Sequence, residues 1–89
     1  MVSVKKLVLD VLKPHQPNGL EFAKVLAEQG GDCRVNLAVA EVDEKTETVV
    51  VIVEGESIQF DRLEEAIKSM GGSLHSVDEV EVVNSGAEL

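Results

Sequence analysis

Tryptophan and tyrosine are absent from this 89-residue chain, and phenylalanine occurs only twice. That scarcity argues against recognition of single-stranded nucleic acid, which stacks bases on strand aromatics; Phe22 and Phe60 fall on or beside helical stretches. Cations are also few. Eight lysines and arginines stand against seventeen acidic residues, for a formal charge of −9. A protein that binds a phosphate backbone or an anionic membrane needs clustered cations, so neither partner is expected. The acidity suits divalent cations or basic partners, or serves solubility alone. Cys33 is the single cysteine, which rules out a disulfide within the chain. Placed where a strand should begin, it reads as a small buried hydrophobe. No apolar run approaches the ~18 residues of a membrane span. Met1 to Lys6 leads straight into a strand pattern without a signal-peptide core, and a cytoplasmic protein is expected.

What is present is aliphatic. Apolar residues make up 44% of the chain, mostly Val, Leu, Ile and Ala, so a single small domain with a thin core is expected over residues 1–89. Val4 to Leu12 reads as a strand, with Leu7, Leu9 and Val11 alternating against Lys6, Val8 and Asp10. Lys13-Pro14-His15-Gln16-Pro17 breaks it. Asn18 with Glu21 fits a capping box, and Phe22, Val25, Leu26 and Gln29 follow at helical spacing up to Gly30-Gly31. Cys33 to Val42 is the second strand, with Val35, Leu37 and Val39 on one side and Asn36, Ala38 and Ala40 on the other. A polar hairpin connection over Asp43–Glu47 leads to Thr48–Val53, whose unbroken β-branched run suggests cover on both faces. Leu63, Ala66, Ile67 and Met70 mark the apolar stripe of a second helix, with Asp61 and Glu64 near its start. Gly71-Gly72 stops that helix, Leu74 to Val83 is the last strand, and 84–89 reads as a flexible tail.

The order β-α-β-β-α-β predicts a ferredoxin-like α+β sandwich: a four-stranded antiparallel sheet of order 4-1-3-2 with both helices on one face. The other face carries small apolar residues (Val8, Ala38, Ala40) around Asp10, a surface suited to self-association. Traced through this topology, the Lys13–Gly19 loop, the Asp43–Glu47 connection and the Gly71–Ser73 turn share one end of the sheet. The last strand starts beside the end of the first, which places His75 near Asp10 or Leu12 and His15 in the neighbouring loop. The chain's two histidines are thus expected at one rim. Asp10, His15, His75 and Asp78, with Glu79 beside them, are the candidate ligand-binding residues, the first four as metal ligands. Imidazole with carboxylate suits zinc, nickel or manganese, and carboxylate alone suits calcium or magnesium. The alternative is that His75 is a strand histidine satisfied by a carboxylate or backbone group and that His15 is a solvated loop residue. Strict alternation also sets Asp78 on the face opposite His75 and Glu79 unless a bulge intervenes. At the far end, Glu54-Gly55-Glu56 with Asp32 forms a second acidic group, in which Glu54 and Glu56 are further candidate ligands for a hard cation. It lacks the spacing of a calcium loop and reads more simply as solvated carboxylates near a helix N-terminus.

Other chemistries of this topology find no residues to carry them. A heavy-metal chaperone needs Cys-x-x-Cys in the first loop, which here reads Pro14-His15-Gln16-Pro17. An acylphosphatase-like enzyme needs an arginine there to hold the phosphoryl group, but the arginines are Arg34 and Arg62. General acid–base work through His75 with Asp10 or Glu79 has no nucleophile or oxyanion loop beside it, so an enzyme is not expected.

Val8-Leu9-Asp10-Val11-Leu12-Lys13-Pro14-His15, the Glu54-Gly55-Glu56 loop, and Gly71-Gly72 followed by Leu74-His75-Ser76-Val77-Asp78-Glu79-Val80 together resemble a family of short archaeal proteins, domain of unknown function 211. The resemblance spans Val4 to Val80. It implies a ferredoxin-like fold, homo-oligomers that are ring-like or otherwise closed, and bound divalent cations (calcium, magnesium or zinc), with no established activity. The expected function is an oligomeric binding or regulatory module for a divalent cation or small ligand. A purely structural assembly unit is the alternative.

Overall fold

The structure, a computed structural model, describes residues 1–85. Its elements are β1 (Val2–Pro14), α1 (Gly19–Gln29), β2 (Cys33–Val42), β3 (Thr46–Gly55), α2 (Phe60–Ser69) and β4 (Ser73–Asn84). The strands form one antiparallel sheet in the order β2-β3-β1-β4, the expected 4-1-3-2 read from the other edge. This is the ferredoxin-like α+β fold.

Alternation decides which residues enter the core. Leu7, Leu9 and Val11 of β1 and Val49, Val51 and Val53 of β3 point to the helix layer and are buried against Phe22 and Leu26 of α1 and Leu63, Ala66 and Ile67 of α2. The intervening residues pair as Leu12 with Thr48, Asp10 with Val50 and Val8 with Ile52, and form the open face of the sheet. The β-branched run of β3 is therefore covered on one side only; Val50 and Ile52 are half-buried, sheltered by their neighbours within the sheet. In β2 the expected alternation holds through Val39. A register shift between Val39 and Glu41 then leaves Ala40 outside the ladder.

Helix ends follow local chemistry. Asn18 Oδ1 accepts the Glu21 N–H at 2.9 Å, which satisfies one of the free donors at the start of α1. The reciprocal half of the capping box does not form, because the Glu21 carboxylate lies 3.6 Å from Lys24 Nζ instead. Gly31 and Gly71, just past the two helices, have φ of +94° and +84°, a region where a Cβ is strained.

Strands β1 and β4 run longer than the apolar pattern suggests. Lys13 and Pro14 still pair with Glu47 and Thr46, and Pro14 takes the terminal position, where a missing N–H matters least. At the other end Asn84 pairs with Val2, and the Ser85 N–H donates to the Met1 carbonyl at 3.0 Å. The expected tail thus gives up Asn84 and Ser85 to ordered pairing, and its remainder, 86–89, lies outside the described residues.

Leu9 has no solvent exposure, whereas Leu20 on α1 is 65% exposed. Leu9→Ala is expected to destabilise the fold by about 2–5 kcal/mol, against about 0.5 kcal/mol or less for Leu20→Ala. Urea unfolding of the two variants, compared at equal m-value, checks the difference.

Candidate functional site

The rim where the first loop, the β2–β3 hairpin and the α2–β4 turn meet is built as the topology requires. Leu12 faces Ser73 across β1 and β4, Pro14 faces Thr46 across β1 and β3, and Gly71 packs near Pro14. Two irregularities in β4 decide what faces this rim. Between Val11 and Asp10 the partner in β4 steps from Leu74 to Ser76, and between Leu9 and Val8 it steps from Val77 to Glu79. His75 and Asp78 are the inserted residues. A bulge sets two residues opposite one and breaks the alternation, so the objection that His75, Asp78 and Glu79 must face different ways does not apply.

His75, Asp10, Leu12 and Thr48 line a hollow of about 220 Å³ on the open face. Beside it, Ser76 lies opposite Asp10, and its hydroxyl donates to Asp78 Oδ1 at 2.8 Å. Glu79, opposite Val8, forms an ion pair with Lys6 at 3.2 Å. The expected neighbourhood of Asp10 and His75 is present, with Asp78 and Glu79 following along β4. Each of the latter already has a partner. Among the described residues no three His, Cys, Asp or Glu side chains gather as a metal-holding group.

His15 does not join that hollow. It turns toward the β2–β3 hairpin, with Nδ1 3.0 Å from Glu47 Oε2 and Nε2 3.0 Å from the carbonyl oxygens of both Asp43 and Glu44. Neither ring nitrogen is left for a metal, and the picture of a solvated loop histidine is replaced by one of a fully engaged ring. The hydrogen bond to Glu47 is the main cause that raises the His15 pKa above its ordinary 6.5, helped by the Glu44 carbonyl. The Glu47 carboxyl is held below the usual carboxylate value, first by His15 and then by Lys13.

Lys13 is the part of this cluster that sequence reasoning missed. Its side chain has no solvent exposure. The ammonium donates to the Pro14 carbonyl at 2.8 Å and to Glu47 Oε1 at 3.0 Å, and Nζ lies 5.7 Å from the centre of the Phe22 ring, within cation–π range. The signal was in the alternation. Lys13 continues the core-facing series Leu7, Leu9, Val11, and Glu47 precedes the core-facing series Val49, Val51, Val53. Opposite charges at matching ends of two buried rows meet across the sheet.

The two glutamates of the second acidic group are each paired with a cation. Arg34 reaches Glu54 at 3.0 Å and Lys5 reaches Glu56 at 3.1 Å, both at the edge of an open hollow of about 530 Å³ that also touches Glu81. The Cys33 thiol is half-buried and directed at the Ala27 carbonyl; burial pushes its pKa up, as suits a packing residue and not a nucleophile.

Comparison with known proteins agrees with this chain's motifs. Over 80 residues it is 42% identical to the uncharacterised protein MJ0319 of Methanocaldococcus jannaschii, a match that covers 90% of this chain and 82% of the relative. Residues 5–88 match the family described as uncharacterised ArCR, domain of unknown function 211. The chain belongs to that family.

Proposed function

We propose that this protein is a homo-oligomeric binding or regulatory module that holds a divalent cation or a small ligand at the open-face rim, with Asp10 and His75 as its first contacts and Asp78 and Glu79 flanking them. The observation that carries the reading is the pair of bulges in β4, which brings His75 to the same hollow as Asp10. Polar strand residues at interrupted alternation are a recurrent device for aiming side chains at a site. The hollow's size limits the ligand. About 220 Å³ is below the ~300–1,000 Å³ of pockets for drug-sized molecules, and suits an ion with its waters or a small metabolite. One imidazole and one carboxylate do not complete a cation's coordination, so further donors come from Asp78, water or a second copy of the chain.

Support for self-association lies on the edge strand. Val77, Val80 and Val82 of β4 are 42%, 58% and 50% exposed although they pair with Leu9, Leu7 and Val4. The helix layer covers Leu74 at the start of this strand but leaves the three valines beyond it exposed, and an exposed edge with an apolar row is a ready surface for another chain. The same row favours the second reading, an assembly unit whose packing is its whole role. In either case the partners are copies of the chain or a small ligand, not nucleic acid or lipid, and no reaction is assigned. A cytoplasmic location accords with the described residues, where no helix is long and apolar enough to cross a membrane.

A thermal-shift series with zinc, nickel, manganese, calcium and magnesium, then amino acids and nucleotides, separates these readings. A binder gains stability as RT ln(1 + [L]/Kd), whereas a scaffold gains none. His75 is exposed, so His75→Ala is expected to keep the unliganded Tm and lose the response; an undiminished response in that variant would sink the rim site. Native mass spectrometry at micromolar concentration is expected to show multiples of 9.6 kDa, and monomer alone would refute the oligomer.

A further inference from the structure

The His15 ring lies between two connections that are distant in sequence, and it has only acceptors around it. Nδ1 meets a carboxylate oxygen of Glu47, and Nε2 meets two backbone carbonyl oxygens, of Asp43 and Glu44, all at 3.0 Å. A neutral imidazole carries one N–H and one lone pair, and only the imidazolium donates from both nitrogens. Glu47 cannot supply the missing proton, because its other oxygen accepts from the Lys13 ammonium at 3.0 Å and so the carboxylate is held ionised. Lys13 itself is fixed by the Pro14 carbonyl and the Phe22 ring. The remaining charges nearby are on the hairpin turn, where Asp43, Glu44 and Lys45 are exposed; the first two present backbone oxygens to the ring. On α1, Glu21 is paired with Lys24.

We propose that His15 is a proton-operated clasp: as imidazolium it ties the β1–α1 connection to the tip of the β2–β3 hairpin, and as neutral imidazole it releases the tip, while the buried Lys13–Glu47 pair holds the base of the hairpin in both states. Loss of the proton turns a lone pair toward either the carboxylate or the two carbonyls, and that contact becomes repulsive. The direction with pH follows from the shifts. His15 is raised above 6.5 by its partners, so the clasp's contribution is fully present below 6.5 and is lost as pH rises through the raised value. Glu47 is lowered below 4.5, so its contribution persists above 4.5 and is lost only as pH falls through that depressed value. The clasp is closed between the two. It moves one specific segment, the hairpin around Asp43–Thr46, whose turn is otherwise closed by the Asp43 N–H donating to the Thr46 carbonyl at 2.8 Å. With the His15 side chain 38% exposed, salt weakens the clasp without abolishing it.

Proton and nitrogen NMR of the full chain across about pH 6–9 tests this directly, since the chain has only two histidines and His75→Gln identifies which imidazole signal is His15. The His15 signal is expected to titrate with a midpoint above 6.5, and the backbone amides of residues 43–47 to shift with the same midpoint. In His15→Gln those amide shifts should vanish over the same range. In Glu47→Gln the side-chain amide can donate to Nδ1, which favours the neutral ring, so the His15 midpoint should fall relative to the parent. That second variant carries the test by itself if His15→Gln does not fold. A His15 midpoint at or below 6.5 overturns the proposal. So do hairpin amides that ignore the His15 titration, or an unchanged midpoint in Glu47→Gln.

Discussion

Everything in this fold hangs on the register of β1. It is one of the two central strands, paired on both sides, and its two rows of side chains are assigned by its unbroken alignment with β3 from Lys6 to Pro14. A slip of one residue would exchange Leu7, Leu9 and Val11 for Lys6, Val8 and Asp10 and bury the wrong set. The same alignment fixes two features beyond the core. It carries Lys13 to the helix side directly opposite Glu47, and it sets Asp10 and Leu12 on the open side beside Thr48. One register thus builds the hydrophobic layer, the buried ion pair at its end and the wall of the hollow.

Sheet pairing with β4 is looser, and the chemistry of the rim depends on that looseness. Along β3 each step in β1 meets one step in its partner, while along β4 two extra residues are absorbed opposite Val8–Leu9 and Asp10–Val11. The inserted positions are His75 and Asp78. An edge strand can take such insertions because one side has no further neighbour to disturb, whereas in β3 they would break two ladders at once.

Much of the architecture was legible in the chain because it rests on periodicity. The alternation in β1 and β2, the stripe Leu63, Ala66, Ile67 and the glycine stops all express short-range rules, and topology then brought His75 to Asp10. What stayed hidden required knowing which strands align and by how much. Lys13 sits next to Pro14 in a segment rich in breakers, so its continuation of the core-facing row carried little weight until Glu47 appeared opposite it. His15 was placed at the right end of the sheet but assigned the wrong company, since its choice between Asp10 and the hairpin depends on side-chain direction and not on topology. Bulges, too, leave no mark in composition. His75-Ser76 and Asp78-Glu79 look like ordinary strand dipeptides.

The place of β1 in the sheet also governs how the molecule must assemble. It is the first of six elements in the chain, yet its two neighbours are the fourth and the last, and Val2 pairs with Asn84 across nearly the whole sequence. No local hairpin can shelter its row of leucines in the meantime; the hairpin of β2 with β3 closes without it. A nascent chain therefore exposes the core row of β1 until β3 has emerged to pair with it, and closing a loop that long slows folding. Lys5 and Lys6 just before that row and Asp10 within it supply the charge that keeps the waiting segment from pairing with its like.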